Sequence, residues 1–208
     1  MTSHVAPPTT GATDTRATDT RATDTRQRLI EIAVRLFTQH SFAGTSLQMI
    51  ADELGVTKAA VYHHFRTRED LLNAVVEPII AEMWRTIHDA EAQRSRHARA
   101  DRVLTGFIDL AVRNRSLISV LASDPAVIAM ARTSREELVA RQLALLAEVQ
   151  PGPAGRVRAA MVMAGVAGVV GPNAAGVDDD ALREHLIDAG RRTLGIRPPR
   201  RADESPRP

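Results

Sequence analysis

Cysteine is missing altogether from the 208 residues, which excludes a disulfide framework, a thiolate metal site and a cysteine nucleophile together. Aromatic residues are scarce at 3%, so the core must be built from Ala, Leu, Val, Ile and Met, residues that form or tolerate helices. Lysine occurs once, at Lys58, and arginine carries the rest of the positive charge. No apolar run approaches the ~20 residues needed to cross a bilayer, and the N-terminus lacks a basic stretch followed by an apolar one. A soluble, unexported, cytoplasmic protein without a membrane partner is expected. The formal charge of +2 is too small to argue for a polyanionic partner, and residues 22–70 hold six basic and six acidic side chains. Any such argument must therefore come from where the charges are placed.

What is present is mostly helix grammar. Residues 12–26 are three copies of Ala-Thr-Asp-Thr-Arg, a polar repeat that cannot offset its ordering entropy, so 1–23 is expected to be a disordered arm. From Thr25 the spacing becomes helical, with Leu29, Ile30, Ala33, Leu36 and Phe37 on one face. Phe42, in the polar break that follows, is expected to fold back onto the core. Thr45-Ser46-Leu47-Gln48 reads as a capping box with Thr45 as the cap. The helix it opens turns Leu47, Ile50, Ala51 and Leu54 inward and ends at Gly55, a left-handed position. Thr57 caps a third helix, Lys58 to about Phe65, and Thr67 with Asp70 caps a fourth. Two short helices joined at Gly55-Val56 have the spacing of a helix-turn-helix.

The fourth helix is expected to run from Arg68 to about Ala90 with a bend at Pro78, because proline removes a backbone donor and crowds the carbonyl at Ala74. Residues 93–101 read as a loop. Further helices are expected around Val103–Ala111, at Leu117–Leu121, after Asp124-Pro125, after a capping box at Ser134–Glu137, over 154–170 and after Asp178. The 154–170 segment is apolar on every side from Ala159 onward, the composition of a helix buried all round. The expected architecture is all-α with about nine helices: a helix-turn-helix domain at 24–70, a helical regulatory and dimerisation domain at 71–196, and a disordered tail at 197–208.

On a helical wheel of the third helix, Val61 and Phe65 point to the core while Ala59 and His63 point directly away, flanked by Ala60 and Tyr62. Such a helix fits a major groove about 12 Å wide with its outer residues against base edges. The alanines allow close approach, Lys58 can reach guanine or phosphate, and Tyr62 offers a hydroxyl. Thr45 and Thr57 stand at helix N-termini, where amides and dipole favour phosphate. The duller reading makes the threonines caps and Tyr62 a packing residue. His63 and His64 are neighbours and so diverge on a helix; with no cysteine nearby, neither a metal nor any cofactor is expected.

The stretch Thr45-Ser46-Leu47-Gln48-Met49-Ile50-Ala51, Gly55-Val56-Thr57, Val61-Tyr62-His63-His64-Phe65 and Thr67-Arg68-Glu69-Asp70-Leu71 resembles the DNA-binding domain of the tetracycline-repressor (TetR) family, over roughly a quarter of the chain. The resemblance implies phosphate contacts from Thr45, Tyr62, His64 and Arg68, the last standing where the family usually has lysine. Ser46, Thr57, Lys58, Ala59, Ala60 and His63 complete the expected DNA-contacting set. It also implies an all-helical ligand domain and a two-fold dimer. Ser41 stands where the family commonly has glycine, which should cost the turn after helix one about 1 kcal/mol. Ala59 and Ala60 replace a frequent glycine and hydroxyl residue, which should alter base preference.

The small residues Ala160, Ala164 and Gly168 lie on one stripe, suited either to an internal core or to a dimer seam. Because one helix-turn-helix spans only a few base pairs, a homodimer through the last two helices, reading a palindromic operator in double-stranded DNA, is expected. Repression released by a small apolar effector is the expected mechanism, with Met83, Trp84, Phe107, Leu110 and Met161 as candidate lining; ordinary core packing is the competing reading for each. The rival classes are a small helical enzyme, for which no acid/base or nucleophile arrangement is visible and no catalytic residue is named, and an architectural DNA binder.

Overall fold

The computed structural model describes residues 14–118, 125–170 and 176–197, with side chains described from Thr23 onward and, within the second span, from Glu136. These residues form eight helices: α1 (Asp14–His40), α2 (Leu47–Leu54), α3 (Lys58–His64), α4 (Arg68–Glu91), α5 (Arg96–Arg113), α6 (Pro125–Ala147), α7 (Pro153–Val170) and α8 (Asp179–Leu194). A further helical turn lies at 115–118, adjoining undescribed residues that include part of the short helix expected at Leu117–Leu121. The tail from 198 also lies outside the described residues. The chain divides into two compact units. One holds α1, α2, α3 and α4 through Val75; the other holds residues 41–43 and everything from Val76. The boundary thus falls inside α4 rather than after Asp70, consistent with the burial of Leu71, Leu72, Ala74 and Val75 in its first turns.

Local chemistry explains most helix ends. The Thr57 hydroxyl accepts from Ala60 N at 3.2 Å. Thr67 and Asp70 exchange bonds of 3.0 Å, a full capping box at the start of α4. Gly55 has φ 72° and ψ 31°, and Gly195 ends α8 in the same left-handed way. Asp178 caps α8 through the amides of Asp180 and Ala181. α4 continues as one helix through Pro78, which is exposed.

Several expectations are corrected. The cap of α2 is Ser46, whose hydroxyl accepts from Met49 N at 3.2 Å, while Gln48 turns to Asp52 at 2.7 Å. α1 begins at Asp14, so the repeats from that point are helix and not a slack arm. Once the turn at Leu29–Phe37 is nucleated by its apolar face, each added residue gains a hydrogen bond without a fresh nucleus, and Asp24 pairs with Arg28 at 3.3 Å. The loop before α5 is short, because Ser95 accepts from Ala98 N at 3.1 Å and starts the helix at Arg96. Ser134 is no cap but lies within α6, which contains neither glycine nor an internal proline to stop it. α7 is not buried all round: Gly155, Ala159, Val162, Val166 and Val170 are packed inward, whereas Val157, Ala160, Met161, Ala164, Gly165, Ala167, Gly168 and Val169 are exposed.

Ser41 is the single described non-glycine residue with positive φ, 64°. Side chains other than glycine pay about 1–2 kcal/mol there, and glycine's own chain entropy offsets part of that. Ser41→Gly should therefore stabilise the protein by about 0.5–1 kcal/mol, read as a thermal midpoint ~1–4 °C higher. A midpoint that falls would mean the serine side chain contributes more than its backbone costs.

In the second unit, α5 is tied on both flanks. Its arginines meet carboxylates of α4, Arg102 with Asp89 at 2.8 Å and Arg113 with Glu82. Its aspartates meet arginines of α8, Asp101 with Arg191 through bonds of 2.6 and 2.9 Å and Asp109 with Arg183 at 2.5 Å. These aspartates hold both guanidinium groups above their usual pKa range, chiefly through hydrogen bonding. The helices also come very close: a Cβ on Gly106 would fall on the Thr86 methyl, and one on Gly190 would lie 2.8 Å from Leu104 Cδ1.

Candidate nucleic-acid interface and effector site

The first unit holds α3 by one side only. Val61 and Phe65 are buried, joined by Leu29, Ala33, Phe37, Ile50, Ala51 and Leu71 in the apolar interior, while Lys58, Ala59, Tyr62 and His63 are exposed. Tyr62, with 44% of its surface accessible, is not a packing residue. Lys58 Nζ stands 5.6 Å from the centre of the Tyr62 ring, an arrangement that attracts a cation to the ring face and gathers both side chains at one edge of the helix. The caps Ser46 and Thr57 are also exposed, and Ala60 is half-buried.

Supporting contacts fix the orientation. Arg35 of α1 pairs with Glu53 of α2 at 2.8 Å. The Arg26 guanidinium covers the Phe65 ring at 5.2 Å. Arg68 donates through Nη1 to the Thr45 carbonyl at 3.1 Å, joining the start of α4 to the start of α2. His63 and His64 meet edge to face with centres 5.3 Å apart. Burial, then His63, then Arg26 push the His64 imidazole below its ordinary pKa.

Two expected contact residues sit differently. Thr45 is only 1% exposed and its hydroxyl donates to the Leu36 carbonyl at 3.2 Å, so it closes the α1–α2 corner from inside and Ser46 takes the outward place. Arg68 is half-buried and works first as a brace. Ser46, Thr57, Lys58, Ala59, Tyr62 and His63 share the accessible surface, with Ala60 and His64 at its margin.

The expected effector residues are divided as well. Met83 and Leu110 are buried in the core of the second unit, with Trp84 and Phe107 packed against it. Met161 is 62% exposed on the outer side of α7 and lines no interior; the spacing that placed it was helical, but its face is the opposite one. A described cavity of about 460 Å³ between α4, α5 and α8 is bordered by charged groups, among them Glu82, Asp109, Arg113 and Arg183. Those groups already pair with one another, so this cleft does not offer the apolar lining expected of the effector site. Gln142, 3% exposed within the apolar stripe of α6, was not singled out by the sequence; a single polar residue at that spacing reads as the edge of a solvated face.

α7 is long and apolar enough to cross a membrane by length and composition. In the fold its inner stripe packs into the core, and the same helix carries two exposed arginines, Arg156 and Arg158. Its outer side leaves Val157, Met161 and Val169 exposed, and the Ala160, Ala164, Gly168 stripe lies on it, with open space where side chains on Gly165 and Gly168 would stand.

Residues 29–75 match the family described as bacterial regulatory proteins, tetR family. The HTH-type transcriptional regulator YerO of Bacillus subtilis (strain 168) is 43% identical over 51 residues, which is 24% of this chain and 18% of that protein. The probable acrEF/envCD operon repressor of Escherichia coli (strain K12) is 41% identical over 58 residues, 28% of this chain and 23% of its own length. These alignments therefore span about a quarter or less of the relatives they match. Over the whole fold, a transcriptional regulator of the TetR/AcrR family from Thermobifida fusca YX-ER1 superposes with a TM-score of 0.60 and 25% identity, covering 84% of this chain and 100% of that one. The two comparisons agree: residues 29–75 carry the DNA-binding domain of the tetR family of bacterial regulatory proteins, and the all-helical fold is similar to that of a TetR/AcrR-family regulator.

Proposed function

We propose that the protein is a transcription regulator that binds a palindromic operator as a homodimer, represses, and lets go when a small effector enters its second unit. The observation that carries the reading is the one-sided support of α3, which hides Val61 and Phe65 and presents Lys58, Ala59, Tyr62 and His63. A helix so held can lie in the major groove, with Ser46 and Thr57 beside the phosphates. The relative in Escherichia coli named as an operon repressor favours repression.

The uncovered side of α7 supports the dimer. Exposed Val157, Met161 and Val169 flank a stripe of Ala160, Ala164 and Gly168, and small residues let two helices approach closely. Packing α7 and α8 of two copies together would remove that surface from water at about 25 cal/mol per Å² of apolar area. Effector control would act through α4, whose first turns belong to the DNA-binding unit and whose remainder carries Met83 and Trp84; it requires different effector affinities for the two positions of that helix.

Lys58→Ala and Tyr62→Ala should each weaken operator binding about tenfold or more without altering the thermal midpoint, because both side chains are exposed. Footprinting and gel shift check this, and the affinity should fall steeply with salt. A protected palindrome supports the regulator, uniform coverage an architectural protein, and no protection an enzyme. Unchanged affinity in both variants would remove α3 from the interface.

A further inference from the structure

The cleft of about 460 Å³ between α4, α5 and α8 is bordered by a hydroxyl that the fold leaves unused. Thr86 of α4 is only 6% exposed, yet its hydroxyl meets no hydrogen-bond partner among the described residues. Threonines inside helices commonly donate back along the chain, as Thr38, Thr105 and Thr193 do to carbonyls four residues earlier. The Thr86 side chain lies against α5 instead: a Cβ on Gly106 would fall on its methyl and stand 3.0 Å from its Oγ1. No buried polar atom is both sealed and unpartnered among the described residues, so this hydroxyl opens onto the space that Thr86 borders. That space continues past Thr86, with Glu82 and Arg102 as shared walls, into a hollow bordered by Arg85 and Asp89.

The charges around this space pair off, with one of each sign left over. Arg113 meets Glu82, and Arg102 meets Asp89 at 2.8 Å. Arg183 meets Asp109 at 2.5 Å, and Arg115 meets Asp179 at 2.8 Å. Asp180 and Arg85 remain, both exposed and neither in an ion pair among the described residues. Asp180 acts on Arg183 only from a distance, after the hydrogen bond and the charge of Asp109. The two lie on either side of Thr86, because Asp180 borders the cleft and Arg85 the hollow. Each has a duller role by itself: an acid in the first turn of α8 suits the helix dipole, and an exposed arginine is ordinarily solvated. The unused hydroxyl between them is what neither role covers.

We propose that this cleft binds a small zwitterion with well-separated ends, such as an ω-amino acid, its ammonium at Asp180 and its carboxylate at Arg85 and the Thr86 hydroxyl. Gly106, Val112 and the Thr86 methyl border the cleft between those groups, a lining suited to a methylene chain. A ligand with two ammonium ends would bring one of them against Arg85 and Arg102, and one with two carboxylates would bring one against Asp180. An α-amino acid carries both charges but too close together to reach α8 and α4 at once, since neighbouring helix axes stand about 8–10 Å apart. The site goes beyond the regulator reading and stands whether or not the protein binds an operator.

The test is titration calorimetry on the full chain at low ionic strength, where exposed charges are least screened, with 6-aminohexanoate, hexylamine, hexanoate and glycine as probes. The wild type should bind 6-aminohexanoate at least about fivefold more tightly than either single-charge probe, the gain of one further exposed ion pair, and should not bind glycine. Asp180→Asn should bring 6-aminohexanoate down to the affinity of hexanoate, and Arg85→Gln down to that of hexylamine. Thr86→Val, which keeps the shape and removes the hydroxyl, should weaken 6-aminohexanoate about threefold or more while the thermal midpoint holds or rises. Glu137→Gln, an exposed site on α6, should change nothing. Equal binding of the three six-carbon probes, binding of none, or an equal loss in the Glu137 variant would overturn the proposal. So would unchanged affinity in both the Asp180 and Arg85 variants, or a Thr86→Val protein with a lowered midpoint and full affinity, which would make that hydroxyl structural.

Discussion

Replacing Ala164 by glutamate is expected to leave the protein folded and monomeric, with operator affinity reduced a hundredfold or more. Ala164 is exposed at the middle of the small-residue stripe of α7, so the new carboxylate remains hydrated in a single copy and the thermal midpoint of the monomer should hardly change. In a dimer joined through α7 and α8 the same group would be pressed against its counterpart, where an unpaired charge is costly to bury. Separate half-sites then lose the gain of simultaneous engagement, commonly 10²–10⁴-fold. Sedimentation and gel shift on the same samples provide the check. A variant that remains dimeric with full affinity would place the subunit contact elsewhere.

Gly155→Ala should be the most damaging single methyl in the second unit. The third residue of α7 is packed so closely against the end of α6 that a Cβ would fall on the Gln150 carbonyl oxygen and lie 3.0 Å from the Ala147 carbonyl. Both obstacles are backbone, held by the bond from Gln150 N to Ala147 O at 3.2 Å and the turn at Gly152, φ 106°. A flexible side chain could swing aside; a carbonyl in this turn cannot without moving a helix end. A loss of about 3 kcal/mol follows from overpacking of this severity, or a thermal midpoint ~6–12 °C lower. A drop under about 2 °C would mean that the α6–α7 corner yields readily.

The DNA-binding unit was largely legible in the sequence because its signals are local. Gly55, Thr57 and the Thr67/Asp70 box act within a few residues of themselves, and their geometry depends little on what packs nearby. Even there, adjacent Thr45 and Ser46 present the same chemistry for a cap. The choice fell to Ser46 because Thr45 is drawn inward to the Leu36 carbonyl, a contact with a different helix. Ser41 shows the converse: its left-handed backbone is invisible to helix periodicity but was exposed by a departure from the family pattern.

The second unit was harder to read for three physical reasons. Apolar composition cannot distinguish a surface covered by the same chain from one left for another, so α7 was expected to be buried all round and Met161 to face inward. A polar residue alone in an apolar stripe, such as Gln142, has the periodicity of the stripe and the chemistry of the opposite face. Ion pairs such as Asp101 with Arg191 join positions far apart in the chain, and no local pattern announces which arginine, among so many, each carboxylate will meet.

With a lone lysine in the chain, exposed at the first position of α3, amine-directed reagents have one side chain to attack, because guanidinium groups stay protonated and unreactive at neutral pH. Acylation at Lys58 would strip that positive charge from the exposed side of α3 and leave every arginine tie in the scaffold intact. A dye attached at that amine would report on whether a duplex docks against α3 as proposed.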